Sequence, residues 1–261
     1  MSVAGPRAAE VAALFDRNAA NYDRVNTAIC FGLDQRWRRW AAAKALAAPR
    51  LGESGPPRVL DACGGSGLVA LELARRGARV TVADASGGML ALARSRAEFE
   101  GLRLEVVQAD LSAGAEVGAA GPPAAASGLP GAPFHALTLA FGLRYVEDPA
   151  GLLRGLAAAL VPGGSLVLLE AVVPRGGFAA RIAGRYFFDV APRAGALLAG
   201  SGELYRELTA TVRALGSAGD LLRLVEVAGL EVRERRLFAG GVVAGVVAGR
   251  ASGMFSSPAR T

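Results

Sequence analysis

A short glycine-rich segment between an apolar run and an amphipathic one is the part of the chain best suited to hold a ligand. It reads Asp61-Ala62-Cys63-Gly64-Gly65-Ser66-Gly67. Glycines let a ligand approach the backbone, and the N–H groups at the start of a following helix point toward it. The next apolar run ends about 20 residues later at Asp84, where a carboxylate can accept hydrogen bonds from both ribose hydroxyls. A third run ends at Asp110, so the sequence predicts a nucleoside site where three strands end.

Two kinds of ligand fit this pattern. Gly65-x-Gly67-x-x-Ala70 followed by Asp84 also satisfies the fingerprint of dinucleotide-binding proteins. That fingerprint usually stands near the start of its domain, without an acidic residue at the end of the first strand. Here helical segments come first, and Asp61 stands where a carboxylate can order the turn and meet the cationic end of S-adenosylmethionine. We therefore predict a methyl-donor site; the alternatives are a nicotinamide site and a tight turn without a ligand.

The apolar periodicity predicts the elements that position this site. Five short apolar runs alternate with amphipathic helices, which is typical of an α/β fold with a parallel sheet and helices on both faces. The runs are Val59–Ala62, Val80–Ala83, Leu104–Val107, Leu137–Phe141 and Ser165–Leu169. Two further runs, Glu231–Phe238 and Val242–Ala248, predict a hairpin that closes the sheet.

We expect three parts in the chain. Residues 1–50 are predicted to form an N-terminal helical cap, in which the clearest helix runs from Asp34 to Ala48 with Asp34 as its N-cap. Residues 51–250 are predicted to form the ligand-binding domain, and residues 251–261 a disordered tail.

Two segments inside the ligand-binding domain are predicted to lie outside its sheet. Residues 112–132 are rich in Ala, Gly and Pro and cannot bury enough surface to order themselves, so we expect a flexible loop. Residues 175–215 contain a helical stretch rich in arginine and aromatic residues, interrupted at Pro192, and we expect this stretch to be a lid.

Composition predicts the location of the protein and its relation to membranes. Of 261 residues, 52% are hydrophobic, yet no run reaches the roughly 20 apolar residues that a membrane-spanning helix needs. We expect no stable membrane insertion, while transient membrane contact and a homodimer are compatible with the apolar surplus. Residues 1–6 do not resemble a secretory signal, and Cys30 and Cys63 form no disulfide framework, so a cytoplasmic location is expected.

Charge and metal-ligand counts exclude further classes of function. The chain has 29 basic and 23 acidic residues, but the excess arginines are scattered rather than gathered on one face, so we predict no nucleic-acid partner. One histidine and two distant cysteines cannot supply the three or four ligands of a usual metal site, so no metal is expected. The single histidine, His135, is predicted to lie at the surface before the fourth strand.

Motifs along the chain resemble those of the ubiquinone/menaquinone biosynthesis C-methyltransferase family. The resemblance extends from Val11 to Arg250. The motifs that carry it are Phe15-Asp16-x-x-Ala19-x-x-Tyr22-Asp23-x-Val25-Asn26 through Trp37, Phe141-Gly142-Leu143-Arg144, Pro162-Gly163-Gly164, Leu169-Glu170, Ala191-Pro192-Arg193, Tyr205 and Gly240-Gly241-Val242-Val243-Ala244. They follow the family's order, which makes the resemblance specific.

The resemblance implies a class I methyltransferase with a Rossmann-like fold. Its sheet would have seven mostly parallel strands with an antiparallel last strand, an N-terminal helical cap and an inserted helical lid. It implies S-adenosyl-L-methionine as methyl donor and S-adenosyl-L-homocysteine as product. Together with the glycine turn, it predicts a donor site made of Tyr22, Asp61, Gly65, Ser66, Gly67, Asp84, Ala85, Asp110, Leu111 and Ala140.

The chain departs from the family's pattern at several positions that do not belong to the predicted donor site. The family usually has Met, Ser, His, Asn, Ser and Lys where this chain has Val25, Cys30, Asp34, Tyr145, Val172 and Val173. These departures indicate a paralogue with a different acceptor, which we expect to be a small apolar aromatic molecule.

Three residues are candidates for catalysis. Arg144 is predicted to stabilise the oxyanion of a hydroxylated acceptor, because a guanidinium stays charged at any working pH; alternatively it only pairs with Glu147 or Asp148. Asp34 is either a base or the N-cap of its helix. Tyr145 either lines the acceptor pocket or lies outside it.

Tyr22 is predicted, from the resemblance, to hydrogen-bond the donor's carboxylate; the alternative is packing within the cap.

The leading interpretation of the whole chain is C-methylation of a hydroxylated aromatic, quinone-type or specialised-metabolite acceptor. The alternatives are O- or N-methylation of a small molecule, a cyclase that binds the donor without transferring methyl, and a nicotinamide oxidoreductase.

Overall fold

The computed structural model describes residues 6–48, 55–111, 131–199 and 202–250. Within these residues seven strands and nine α-helices follow one another. The elements are α1 (Pro6–Ile29), α2 (Leu33–Leu46), β1 (Arg58–Ala62), α3 (Leu68–Ala74), β2 (Arg79–Asp84), α4 (Gly87–Phe99), β3 (Leu104–Gln108), β4 (Phe134–Ala140), α5 (Pro149–Ala158), β5 (Leu160–Ala171), α6 (Phe178–Arg185), α7 (Ala191–Ala199), α8 (Gly202–Leu215), α9 (Ala218–Val227), β6 (Leu230–Phe238) and β7 (Val243–Arg250). The predicted flexible loop, except its last two residues, and the predicted tail lie outside the described residues.

The strands form one mixed sheet in the order β3-β2-β1-β4-β5-β7-β6. Strand β7 runs antiparallel to both of its neighbours, while β1 to β5 are parallel. The register brings the carboxyl ends of the central strands to one edge, because Ala62 lies opposite both Ala83 and Leu139, and Asp84 lies opposite Gln108. The predicted α/β sheet with an antiparallel last strand is confirmed.

Apolar residues of the strands alternate between the two faces of the sheet, and each face is covered by helices. On one face Val59 and Val82 pack with α2 and α3, and on the other Leu60 and Leu137 pack with α5 and α9. This alternation follows from the period of two in a strand. Helix α2 belongs to the first layer, because Trp37 and the alanines four and eight residues after it are buried there.

The segment predicted as a lid stays helical past Pro192. A π-helical turn, Tyr186–Val190, joins α6 to α7, and Pro192 is the second residue of α7. Proline has no N–H and its ring clashes with the carbonyl four residues earlier, and a widened turn is one way in which a helix accommodates it. Pro192 therefore marks a local change of helix type and does not end the helical segment.

The predicted N-cap at Asp34 is wrong. Helix α2 begins at Leu33, and its N-cap is Gly32, whose φ of 70° lies in the left-handed region. Asp34 is thus inside the first turn, and its side chain is buried instead of capping the helix from outside. Its carboxylate is therefore available for contacts with other parts of the protein.

Candidate active site

The glycine turn after β1 is tight because several of its residues adopt left-handed backbone. Cys63, Gly65 and Gly67 have φ values of 50°, 53° and 76°. At Gly64 there is no room for a side chain, since a Cβ would lie 2.7 Å from Val82 Cγ1. Gly64 and Gly65 thus place backbone without side chains against the cavity described below, so a ligand can approach the turn closely.

Asp61 holds this turn in place from the end of β1. Its carboxylate accepts a hydrogen bond from the N–H of Ala70 in α3 at 3.1 Å and another from the hydroxyl of Thr138 in β4 at 2.6 Å. The side chain is buried and also lines the cavity described below. Asp61 thus joins two strands and a helix at one carboxylate, which is the ordering of the turn that the sequence predicted.

Burial raises the pKa of Asp61 to about 7, against the lowering effect of the hydrogen bonds from Thr138 and Ala70. In the unfolded chain this carboxyl loses its proton near pH 4, whereas the folded protein keeps it up to about pH 7. The contribution of Asp61 to the free energy of unfolding is therefore full below about pH 4 and falls as the pH rises to about 7.

This dependence can be measured by urea unfolding of the protein and of Asp61→Asn at several pH values. We expect the unfolding free energy of the original protein, relative to the variant, to fall between about pH 4 and 7 and to stay constant above that range. A difference that grows with pH would contradict the raised pKa.

Asp84, at the end of β2, accepts two backbone hydrogen bonds in the same region. The N–H of Gly65 lies 2.9 Å from Oδ2 and that of Ser86 lies 2.8 Å from Oδ1. Burial raises the pKa of this carboxyl, and the two N–H bonds oppose that effect. Each carboxylate oxygen keeps a lone pair beyond these bonds, so the side chain can still accept from hydroxyls of a ligand.

The other predicted donor-side residues gather around the same edge of the sheet. Asp110 and Leu111, which follow β3, are buried, and so is Ser66 in the turn. All the predicted donor-side residues except Gly67 line one cavity, together with Cys63 and Met89. Gly67 caps α3 instead, where a Cβ would lie 2.8 Å from that of Ala93. The structure thus brings residues of five sequence segments together.

That cavity has a volume of about 450 Å³ and continues from the glycine turn into an apolar region. The far walls come from α1, α2, the residue that follows β4, the lid and the loop before β7. Their lining residues include Phe15, Ile29, Leu33, Trp37, Phe141, Tyr186, Phe187, Tyr205, Leu208 and Val242. The volume lies in the range of small-molecule sites, and the aromatic walls suit a flat apolar ligand.

Arg144 and Tyr145 form the polar centre of this region. They stand in a 3₁₀ turn after β4, and both are buried and line the cavity. Arg144 Nη1 pairs with Glu170 at the end of β5, and the guanidinium lies 4.6 Å from the centre of the Tyr145 ring. The predicted alternative partners were wrong: Asp148 instead caps α5 by accepting from the N–H of Gly151.

The buried ion pair keeps unused hydrogen-bonding capacity. Among the described residues, Nε of Arg144 and Oε2 of Glu170 have no hydrogen-bond partner. Glu170 Oε1 also accepts from the N–H of Ala171 at 2.9 Å, which fixes the carboxylate. Because buried polar atoms are normally satisfied, these two atoms are candidates to bind a polar group of a ligand.

The sequence over residues 3–249 matches the ubiE/COQ5 methyltransferase family. The chain belongs to this family. A demethylmenaquinone methyltransferase from Thermus thermophilus is 37% identical over 222 residues, which cover 84% of this chain and 92% of that protein. The ubiquinone/menaquinone biosynthesis C-methyltransferase UbiE of Shewanella woodyi is 30% identical over 240 residues, covering 90% of this chain and 88% of that protein. The resemblance seen in the motifs is confirmed.

Solved structures agree with the fold. The [4+2]-cyclase SpnF has a TM-score of 0.64 at 16% identity, covering 97% of this chain and 99% of that one. Magnesium protoporphyrin IX methyltransferase from Synechocystis PCC 6803, with bound S-adenosylhomocysteine, has a TM-score of 0.60 at 18% identity, covering 93% and 99%. Such low identities establish the shared fold and carry nothing about the reaction.

Membership of the family makes the protein an S-adenosylmethionine-dependent methyltransferase. The residues present fit this donor, because the carboxyl groups of Asp61, Asp84 and Asp110 line the same cavity as the glycine turn. Asp84 presents its carboxylate at the end of β2, where the ribose of such a ligand is held in this class of sheet. Metal-ligating clusters are absent from the described part of the chain.

Tyr22 lies on α1 and lines the cavity, with its ring 5.1 Å from that of Phe15. Burial raises the pKa of its phenol and the neighbouring Tyr145 adds to this effect. The hydroxyl is therefore protonated and can donate a hydrogen bond, as binding of the donor's carboxylate would require. Its packing against Phe15 also matches the alternative, so the role of Tyr22 stays a prediction.

Asp34 lies in the same cavity within a polar group that the sequence did not indicate. Its Oδ2 accepts hydrogen bonds from the Thr27 hydroxyl at 2.9 Å and from Arg38 Nη1 at 2.6 Å. Oδ1 is buried and has no partner among the described residues. Arg38 and Thr27 fix the orientation of the carboxylate, and its unused Oδ1 is placed to accept a hydrogen bond from a ligand, so the role of Asp34 as a base stays a prediction.

Burial decides the role of two further side chains, His135 and Cys63. His135 is buried in β4, where Nδ1 accepts from the N–H of Arg58 at 3.1 Å, so its predicted surface position was wrong. The strand begins at Phe134, earlier than the apolar run indicated. Burial raises the pKa of the Cys63 thiol, and the carboxyl groups of Asp84 and Asp61 add to this, so Cys63 is a protonated small side chain without nucleophilic character.

Sequence reasoning missed the contacts that attach α1 to the donor side. Asp16 accepts hydrogen bonds from the Ser86 hydroxyl and from the N–H of Gly88 at 2.9 Å, at the start of α4. Asp23 pairs with Arg96 of α4 at 2.7 Å, and Arg96 also donates to the carbonyl of Ser66. The acidic residues of the first signature were the available signal, because a carboxylate favours a helix N-terminus.

Proposed function

We propose that the protein C-methylates a hydroxylated aromatic acceptor of the quinone type. The observation that carries this proposal is the single cavity that joins the glycine turn to the buried Arg144 and Tyr145. The demethylmenaquinone methyltransferases at 34–37% identity agree in acceptor class. The departures at Tyr145, Val172 and Val173 point to an acceptor that differs in detail.

The donor half of the proposed site is built around Asp84 and Asp61. Asp84 would accept from the ribose hydroxyls, while Asp61 keeps the turn in the conformation that meets the ligand. Tyr22, which closes this side from α1, would donate to the carboxylate of the amino-acid moiety. Bound S-adenosylmethionine supplies an electrophilic methyl group attached to a sulfonium.

The acceptor half uses Arg144 to stabilise negative charge. When the hydroxyl beside the reacting carbon gives its proton to a base, for which Asp34 is the candidate in this cavity, the ring carbon becomes nucleophilic and the oxygen carries charge. After gaining the methyl group, the same carbon would lose its hydrogen as a proton, which restores the aromatic ring. The guanidinium of Arg144 keeps its own positive charge at any working pH, and its free Nε–H can donate to that oxygen. Glu170 holds the guanidinium in place, and the apolar walls exclude water and align the ring.

A methylation assay tests this proposal directly. Purified protein is incubated with ¹³C-methyl-labelled donor and a short-chain naphthoquinol, and S-adenosylhomocysteine is quantified alongside the product. We expect turnover only with the acceptor present, and NMR should place the label on a ring carbon. A matched acceptor with both hydroxyls blocked as ethers should not react, because no oxyanion can form.

The assay also separates the alternatives. A label on oxygen would replace C-methylation by O-methylation. A product of unchanged mass would indicate cyclisation without methyl transfer. Equal turnover of the blocked acceptor would contradict the proposed oxyanion.

A further inference from the structure

A second pocket lies beside the cavity, between α1, α2 and α3. We call it the outer pocket, and the residues that line it alone are Arg24, Thr27, Ala28, Gln35, Glu72 and Arg75. Four of these six residues are exposed, so the outer pocket opens to solvent. Asp23, Arg38 and Leu68 line both the outer pocket and the cavity, so these side chains form the wall between the two spaces.

A hydrogen bond between Thr27 and Asp34 crosses this wall. Asp34 lines the cavity and not the outer pocket, whereas Thr27 lines the outer pocket and not the cavity. The Thr27 hydroxyl donates to Oδ2 of Asp34 at 2.9 Å. Oδ1 of the same carboxylate is buried without a partner in the described part of the chain. Asp34 therefore has one oxygen left for a ligand and another bonded to a hydroxyl of the outer pocket.

The neighbours of Asp34 differ in what they can do with a proton. Arg38 donates to Oδ2 at 2.6 Å but cannot take up a proton, because a guanidinium is already fully protonated. The Thr27 hydroxyl has one hydrogen to donate and two lone pairs, so it can accept from a protonated carboxyl and donate to water. Burial, with the Asp34 carboxyl adding to it, raises the pKa of the Cys30 thiol to about 11, so this thiol keeps its own proton. Thr27 is thus the neighbour that can pass a proton on.

C-methylation releases a proton inside the cavity. A ring C–H bond is replaced by a bond to the methyl carbon while the sulfonium becomes a neutral thioether, so one proton is set free for each methyl transferred. The Phe141 ring is centred 6.0 Å from Arg144 Cζ and 6.3 Å from the Trp37 ring. Trp37 follows Asp34 by about one helical turn, so Asp34 and Arg144 lie near the same aromatic rings. Because Arg144 is already protonated, the proton needs another acceptor, and Asp34 has a free oxygen.

We propose that Asp34 and Thr27 conduct this proton from the cavity to the outer pocket. The inference rests on the proposed function, since it needs an acceptor that gives up a proton.

The proton moves in three steps. The O–H bond of the acceptor breaks and its proton binds Oδ1 of Asp34. Rotation about the Cβ–Cγ bond, which is soft in aspartate, brings the protonated oxygen to Thr27. The carboxyl then donates its proton to the Thr27 oxygen, while the original Thr27 hydrogen passes to water in the outer pocket, and Asp34 is again a carboxylate. The ring hydrogen, lost later as a proton, re-forms the acceptor hydroxyl, so one proton leaves for each methyl transferred.

Parallel measurement of proton release and methyl transfer in a single turnover tests this route. The full chain with bound S-adenosylmethionine is mixed with the naphthoquinol in weak buffer, a pH-indicator dye reports the proton, and rapid quench reports the labelled product. We expect the original protein to release the proton at the rate of methyl transfer. In Thr27→Val, which keeps the size of the side chain and removes the hydroxyl, proton release should become slower than methyl transfer by a factor of about 10 or more.

Two further variants serve as controls. Thr27→Ser keeps the hydroxyl, so its two rates should again be equal. Thr211→Val is the matched control, because Thr211 is also a helical threonine, its hydroxyl bonds the carbonyl of Glu207 at 2.9 Å, and it lines neither the cavity nor the outer pocket. Both of its rates should equal those of the original protein.

The ratio of the two rates separates a proton route from a structural role of Thr27. If the Thr27 hydroxyl only held Asp34 in place, Thr27→Val would slow methyl transfer and proton release together, and that result would overturn the proposal. Proton release that keeps pace with methyl transfer in Thr27→Val would overturn it as well. So would proton release that lags in the original protein, a result that depends on no variant. Absence of C-methylated product from the original protein would overturn the proposed function and the proton route together.

Discussion

Arg144→Ala is expected to lower kcat by a factor of about 10² to 10³, while the Kd for S-adenosylhomocysteine stays within about threefold. Arg144 is the buried cation at the acceptor end of the cavity, and it would stabilise charge that develops on the acceptor oxygen in the transition state. The donor-side contacts described above come from other residues, so donor affinity should survive. Steady-state kinetics with the naphthoquinol and calorimetry with S-adenosylhomocysteine provide the two measurements.

The ion pair complicates this experiment, because Arg144→Ala leaves Glu170 buried and unpaired. Breaking such a pair costs about 3 to 5 kcal/mol of unfolding free energy. The double variant Arg144→Ala/Glu170→Gln removes the orphaned charge and should recover much of that stability. Its turnover should stay low, because the guanidinium is still missing.

A matched control is Arg154→Ala. Arg154 forms an exposed pair with Asp148 at 3.6 Å on α5, so its loss should change neither turnover nor donor affinity. If the stable double variant turned over at the original rate, Arg144 would be a structural residue and not a catalytic one.

The donor half of the site could be predicted from sequence because its determinants are local. The glycine turn follows its strand directly, and Asp84 and Asp110 stand at the ends of the next two apolar runs. Parallel strands place their carboxyl ends at one edge, so the convergence of these residues followed from the pattern alone. The structure brings Asp61, Asp84 and Asp110 to the same cavity.

The acceptor half depends on contacts between distant segments, which periodicity does not reveal. Glu170 lies 26 residues after its partner Arg144. The alternative prediction, that Arg144 pairs with Glu147 or Asp148, assumed a partner close in sequence. Parallel pairing of β4 with β5 was a usable signal, since it places Glu170 beside the residues that follow β4. A buried carboxylate at that position indicates a partner for a buried cation.

Asp34 and His135 illustrate two other limits of prediction from the sequence. A Phe-Gly pair before α2 allowed Gly32 to take the left-handed N-cap conformation, and this backbone feature displaced Asp34 into the helix and toward Arg38. His135 was predicted to lie at the surface before its strand, yet it is buried in β4, and its hydrogen bond with the N–H of Arg58 satisfies a buried polar atom. At His135 a tertiary hydrogen bond outweighed the local pattern, whereas at Asp34 the left-handed turn before α2 did.

The second large effect is expected on donor binding. Asp84→Asn should raise the Kd for S-adenosylhomocysteine by about 100-fold or more. A carboxylate that accepts from two ribose hydroxyls contributes through charged hydrogen bonds of about 1.5 to 3 kcal/mol each. The amide keeps the size of the side chain but has one acceptor oxygen instead of two. Calorimetry measures the change.

Loss of affinity alone would not separate ribose binding from support of the turn, since Asp84 also accepts from the N–H groups of Gly65 and Ser86. Asp148→Asn is the matched control: Asp148 also accepts a backbone N–H, that of Gly151, but does not line the cavity. If both variants lose similar unfolding free energy and only Asp84→Asn loses affinity, the carboxylate acts on the ligand. Affinity within threefold of the original in Asp84→Asn would exclude the ribose role, and the selection of this donor would then have to come from the turn and Asp61.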